Sequence, residues 1–106
     1  MISSSNFTKM FSYNKDSDFC LEVEFRIIGS DEFRSCFMGK ICDENGVCYW
    51  YALAPDGSNA YEYDNFESFL AAPLFSQKTL LEIWDKIEIL SIDGCDPEER
   101  ISFYIR

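Results

Sequence analysis

From Phe19 to Ile28 the chain alternates. Phe19, Leu21, Val23, Phe25 and Ile27 are apolar, and Cys20, Glu22, Glu24, Arg26 and Ile28 fall between them. Successive side chains of a strand point to opposite faces, so this run specifies a strand with one dry face and one wet face. A dry strand face needs hydrogen-bonded neighbours and a covering layer, which restricts the fold to sheet architectures. Gly29-Ser30-Asp31 breaks the run. A second strand is expected from Phe33 to Cys42 and a third from Val47 to Leu53, joined through Asp43-Glu44-Asn45-Gly46. Gly46 suits the left-handed position that closes a three-residue loop of Glu44, Asn45 and Gly46. That loop sets Asp43 opposite Val47, Cys42 opposite Cys48 and Ile41 opposite Tyr49. Phe37, Ile41, Val47, Tyr49 and Leu53 would then share one face, with Lys40 and Trp50 on the other.

Beyond the turn Pro55-Asp56-Gly57-Ser58, Ala60–Tyr63 is a short fourth strand. Asp64-Asn65-Phe66-Glu67 has the Asx-x-x-Glu spacing of a helix start, with Asp64 as the cap and Phe66, Phe69 and Leu70 as one stripe. Pro73 ends that helix. Thr79-Leu80-Leu81-Glu82 repeats the capping pattern and opens a second helix carrying Leu80, Ile83, Trp84 and Ile87. Ile87–Ile92 reads as a strand, Asp96–Arg100 as an acidic loop and Ile101–Ile105 as a final strand. Residues 1–15, with Phe7, Met10, Phe11 and Tyr13, read as a loosely docked arm. The expected class is α+β: one domain over residues 1–106, with a mainly antiparallel sheet of about five to six strands. The two short helices, between residues 64 and 86, pack on one face of it. A chain of this length buries roughly two-thirds of its unfolded surface, enough for a core without metal or disulfide support.

A net charge of −10 and a pI near 4.2 narrow the partners. Such a field repels phosphate backbones and anionic bilayers and attracts basic proteins, so neither direct nucleic-acid binding nor membrane binding is expected. Residues 1–53 carry 5 basic and 8 acidic side chains, a balance of −3; residues 54–106 carry 4 and 11, a balance of −7. Met1 is followed by Ile2-Ser3-Ser4-Ser5-Asn6 rather than by a basic and then an apolar stretch. The five cysteines are odd in number and contain no C-x-x-C pair. Together these features suggest reduced thiols and a cytoplasmic location.

Catalysis finds little support. The absence of histidine removes the commonest general base and the usual zinc ligand. No phosphate-binding or nucleophile-elbow motif is present, and no cofactor is expected. Cys36, Cys42 and Cys48 are evenly spaced, but they supply neither the number nor the tight grouping of a zinc site, so no metal is expected. As cross-strand neighbours, Cys42 and Cys48 could form a disulfide under oxidation. Glu22 and Glu24 beside Arg26 read as a solvated sheet face, and Asp93–Glu99 lacks the ligand pattern of a calcium loop.

Aromatics interleaved with acids are the more informative feature. Exposed rings supply contact area and carboxylates supply steering toward a basic surface. Trp50, Tyr61, Glu62, Tyr63, Asp64 and Glu67 are therefore the candidate partner-binding residues, with Asp96, Glu98 and Glu99 as a second acidic patch. The expected function is a small acidic protein-binding domain, of the inhibitor or immunity type, that occludes a basic protein partner. One alternative is a small enzyme or ligand-binding domain using carboxylates or a thiol between sheet and helices. Another is an accessory domain whose acidity serves solubility alone.

Overall fold

The computed structural model of the protein describes residues 2–13 and 18–105. The alternating run forms β1, Phe19–Ile27, with Leu21, Val23, Phe25 and Ile27 buried. It pairs with β2, Cys36–Asp43, which pairs with β3, Gly46–Ala52, which pairs with β4, Ala60–Tyr63. β5, Ile87–Ile92, returns to the other side of β1, giving the order β4-β3-β2-β1-β5 with every pairing antiparallel. Opposite β1, the β5 ladder skips Leu90, a bulge between the Glu24–Ser91 and Phe25–Ile89 pairs. Five strands and a few short helices make one compact α+β domain.

The β2–β3 register differs from the expected one. Asp43 faces Gly46, Cys42 faces Val47 and Ile41 faces Cys48, so only Glu44 and Asn45 lie in the loop. The Asp43 carboxylate accepts from the Asn45 amide at 2.8 Å, and Gly46 takes its φ of +118° inside the ladder rather than in the loop. The faces of β2 change with it. Cys36, Met38 and Lys40 point inward with Tyr49 and Tyr51, while Phe37 and Ile41 share the outer face with Trp50. β2 is apolar at both parities, so alternation alone does not choose its face. Cys42 and Cys48 now lie on opposite faces, which excludes the cross-strand disulfide; all five cysteines are unbridged.

The inner face is covered by helices. The stretch expected as a loose arm contains α1, Ser4–Phe11, whose Phe7, Met10 and Phe11 are buried. Ser3 caps it by accepting from the Asn6 amide at 3.1 Å. α2, Phe66–Ala71, is capped by Asn65 rather than Asp64, with the Ser68 amide donating to its side chain at 2.8 Å. Ala72, held extended before Pro73, ends it. Phe69 carries this helix into the core: its ring stacks on Tyr51 at 4.2 Å, and its carbonyl accepts from the Tyr51 hydroxyl at 2.9 Å. The Thr79–Glu82 capping box forms in both directions, at 2.9 and 3.3 Å. It opens a 3-10 segment, Leu81–Lys86, kinked at Ile83.

The expected final strand is a helix. α3, Pro97–Tyr104, takes in the acidic loop after its cap Asp96 and the expected strand as far as Tyr104. Asp96 caps it, Pro97 occupies its first turn, and Glu98 and Glu99 sit where the helix dipole favours negative charge. Ile101 and Tyr104, three residues apart, face the core. The period-two look of Ile101, Phe103 and Ile105 is outweighed by this start signal. Asp93, in the left-handed region at φ +53°, ties α3 to the sheet. Its carboxylate accepts from the Glu22 amide at 3.0 Å, from Arg100 Nε at 3.0 Å and from the Tyr104 hydroxyl.

Among the described residues Lys40 is the one buried charged side chain, at 1% exposure. Its Nζ donates to the carbonyls of Phe11 at 2.8 Å and Tyr13 at 2.9 Å, and lies within 6 Å of the Phe19 and Tyr49 rings. Burial lowers its pKa from the ordinary lysine value.

Candidate functional site

All four helical segments contribute to the core behind the inner face, and no described helix covers the outer one. Residues across that outer face follow from the register. One row runs Glu62 on β4, Trp50 on β3, Gly39 on β2 and Glu22 on β1. Gly39 is the key to this row. A Cβ there would stand 2.2 Å from the Leu21 carbonyl oxygen and within 2.7 Å of indole atoms Cζ2 and Cε2. The Trp50 ring therefore lies along the sheet over Gly39, pointing away from Glu62 toward β1. Glycine inside a strand marks such a close approach. The indole packs against backbone and Trp50 is half-buried, with its Nε1 buried and unpartnered.

Two carboxylates share this row with the ring. Glu22 and Glu62 are exposed, and neither side chain has a hydrogen-bond partner among the described residues. On the adjoining row, Cys20, Ile41 and Cys48 lie side by side. The Cys48 thiol is pushed above its ordinary pKa, first by burial and then by the charge of Glu62, with smaller contributions from Asp64 and Asp43. That response places three acids around the outer end of β3. The same face also holds Glu24, bonded by Ser35, and Glu88, paired with Arg26. Arg26, the one basic side chain in the described strands' outer rows, is thus already engaged.

The candidate residues separate accordingly. Trp50, Glu62 and Asp64 come together at the outer face. Tyr61 and Tyr63 point to the opposite side of β4: Tyr63 packs edge-on to Tyr51 and Phe69, and Tyr61 is 40% exposed. Glu67 lies exposed in the first turn of α2. Asp96, Glu98 and Glu99 belong to the start of α3, beside β5. β4 and β5 are opposite sheet edges, four strand spacings or about 19 Å apart, so the two acidic patches are separate. Sequence reasoning missed Glu22, Gly39 and Ile41 as members of the Trp50 site. An isolated glycine in a strand was the available signal for Gly39.

A groove of about 400 Å³ lies elsewhere, between β5 and the start of α3, lined by Ile2, Ile28, Ile87 and Ile89 with Asp85, Glu88 and Glu98. It is open to solvent, and Glu98 is the one candidate residue that reaches it. Among the described residues, no group of three histidine, cysteine or acidic side chains is placed to hold a metal ion. None of the described helices is long and apolar enough to cross a membrane.

Neither a family model, a curated protein nor a solved structure matches the chain. The functional reading therefore comes from the site itself.

The thiols offer a direct check on these placements. Cys20 and Cys95 are exposed, Cys42 and Cys48 are half-buried, and Cys36 is buried with its pKa pushed up to about 11, by burial first and by Glu32 second. Alkylation at pH 8 is expected to label Cys20 and Cys95 quickly, Cys42 and Cys48 slowly, and Cys36 only at the rate of global unfolding. The Cys36 thiol ionises near 9.0 when unfolded and about 11 when folded, so the folded state binds more protons in between. Its contribution to stability is present below pH 9 and falls away as pH rises toward 11. Fast labelling of Cys36 in native protein would contradict its place in the core.

Proposed function

We propose that this protein is a binding module for a basic protein partner and that the uncovered sheet face around Trp50 is its contact surface. One observation carries the reading: an indole packed over a strand glycine, in one row with two exposed carboxylates, on a face no described helix covers. A half-buried tryptophan packed over the strand supplies contact area at little entropic cost, the character of a binding hot spot. The carboxylates around it supply steering, and the chain's net charge of −10 extends that field outward. An inhibitor or immunity protein that occludes a basic surface is the functional class this combination fits. Of the acids at the start of α3, Asp96 caps the helix, and Glu98 and Glu99 lie in its first turn, where the dipole favours negative charge.

The test begins with a basic protein that the immobilised chain retains from its source lysate and releases at moderate salt, as expected when screening weakens exposed charge. Against that protein, Glu22→Lys combined with Glu62→Lys is expected to lower the association rate about tenfold or more at low ionic strength. Glu98→Lys combined with Glu99→Lys, which alters the net charge equally but lies at the far edge, should change it far less. Equal slowing by both would show that net charge alone matters and would remove the Trp50 face as the contact surface. If no retained protein responds to salt, the basic-partner reading itself is wrong.

A further inference from the structure

We infer that the free edge of β5 takes up an extended segment of a partner as an added strand, and that the segment it fits alternates apolar and basic side chains. β5 ends the sheet, with β1 on one side and no strand of the described chain on the other. The ladder fixes where its backbone groups point. The Ile28 amide donates to the Lys86 carbonyl at 2.8 Å, while the Ile27 amide turns the other way, to the Phe33 carbonyl at 2.9 Å. Ile27 and Ile87 are therefore a pair without mutual hydrogen bonds, and so, two residues on, are Phe25 and Ile89. Both polar groups of Ile89 and the carbonyl of Ile87 thus face away from β1. The Ile87 amide also faces away, but it donates to the Trp84 carbonyl. Further along, Ile92 exchanges hydrogen bonds with Cys95 at 3.0 and 2.8 Å. Among the described residues, no turn, loop or helix takes up the Ile89 pair, so the edge is open there and closed on either side.

The 400 Å³ groove lies along the same stretch, with an apolar floor of Ile87, Ile89, Ile2 and Ile28. Ile28 is 51% exposed, the highest value among the large apolar side chains described. A strand laid on β5 sends its side chains to alternate faces. One set falls beside Ile87 and Ile89, and the other falls on the outer side with Ile28. Strand addition of this kind draws affinity from main-chain hydrogen bonds and specificity from the pockets that receive alternate side chains. Asp85 and Glu98 stand at the rim of the groove, and Glu88, on the same stretch, is paired with Arg26. Acids at the margin of an apolar groove select basic side chains on the incoming strand. They also oppose a second copy of this chain, which would bring the same acids and a net charge of −10 to the edge. The site lies three strand positions from Trp50 and does not depend on the reading of that face.

The probe is the hexapeptide acetyl-Lys-Ile-Lys-Ile-Lys-Ile-amide, followed by NMR shifts and hydrogen exchange of the protein's amides. In the free chain the Ile89 amide should exchange quickly and that of Glu88, inside the β1 ladder, slowly. Saturating peptide should slow exchange at Ile89 by about tenfold or more. Serine in place of isoleucine, or glutamate in place of lysine, should weaken binding by about tenfold or more. N-methylation of every peptide amide keeps the side chains but removes the strand's donors, and should abolish binding. Asp85→Lys, a change at an exposed position, should weaken the parent peptide about threefold. An N-methylated peptide that binds as tightly as the parent, or shifts confined to the Trp50 face, would overturn strand addition at β5. An Ile89 amide already protected in the free chain, together with a concentration-dependent dimer in sedimentation, would give the edge to a second copy and overturn it equally.

Discussion

Lys40→Met is expected to lower the stability of the protein by about 3 kcal/mol and to release α1 before the sheet. Methionine can fill much of the lysine's volume, but it donates no hydrogen bond. The Phe11 carbonyl, at the end of α1, and the Tyr13 carbonyl beyond it would lose their donor. An unsatisfied buried acceptor costs about 1–3 kcal/mol, so two partly offset by repacking give the stated figure. Phe7 and Phe11 pack against Phe66, Phe69 and Trp84, so detachment of α1 would open the core on that side. The measurement is urea unfolding together with amide exchange: residues 4–11 should lose protection in the variant ahead of β1 and β2. A variant as stable as the wild type would show that the lysine only tolerates its site.

The pH dependence of this difference has a definite sign. Burial lowers the folded pKa of Lys40 below the ordinary 10.5, so between the two values the unfolded chain binds more protons than the folded one. In that window Lys40 makes stability rise with pH, and below it the ionised ammonium is the costlier form inside the fold. The wild type's advantage over Lys40→Met should therefore grow as pH rises toward 10.5. The buried tyrosines and Cys36 act in the opposite direction in alkaline solution, but they are common to both proteins and cancel in the comparison.

What could be read from the sequence tracks how local the deciding interactions are. β1 was legible because its two faces differ in polarity along nine consecutive residues. The Thr79–Glu82 box was legible because both partners lie within one turn. β2 was not, because Cys36, Met38 and Lys40 compete with Phe37 and Ile41, and the choice falls on distant contacts. Lys40 faces inward where the carbonyls of Phe11 and Tyr13, at and just beyond the end of α1, come to it from 29 and 27 residues away. Likewise, Gly39 makes sense only beside Trp50. α3 is a different kind of miss: Asp96-Pro97-Glu98-Glu99 is a local helix start that the alternation of Ile101, Phe103 and Ile105 obscured. In the site, Trp50 could be placed opposite Tyr49 and Tyr51 from parity alone. Its carboxylate neighbours required the strand order, which put Glu22 in the same row and the Asp96 patch at the other edge.

Gly39→Ala tests the strand packing and the site together, and is expected to cost about 2–4 kcal/mol, at the upper end of overpacking effects. The added methyl meets two obstacles of different kinds. The Leu21 carbonyl oxygen, 2.2 Å away, is backbone of the neighbouring strand and can yield only if the β1–β2 ladder distorts. The indole, 2.5 Å away, is a side chain on an open face and can swing outward. Both should occur, so the variant should unfold at lower urea and show red-shifted tryptophan emission as Trp50 lifts toward solvent. A double-mutant cycle with Trp50→Leu separates the two obstacles. If the indole were the main barrier, Gly39→Ala would cost little in the Trp50→Leu background. The shorter contact is to backbone, so most of the cost should remain there, with a coupling of about 1 kcal/mol reporting the displaced ring.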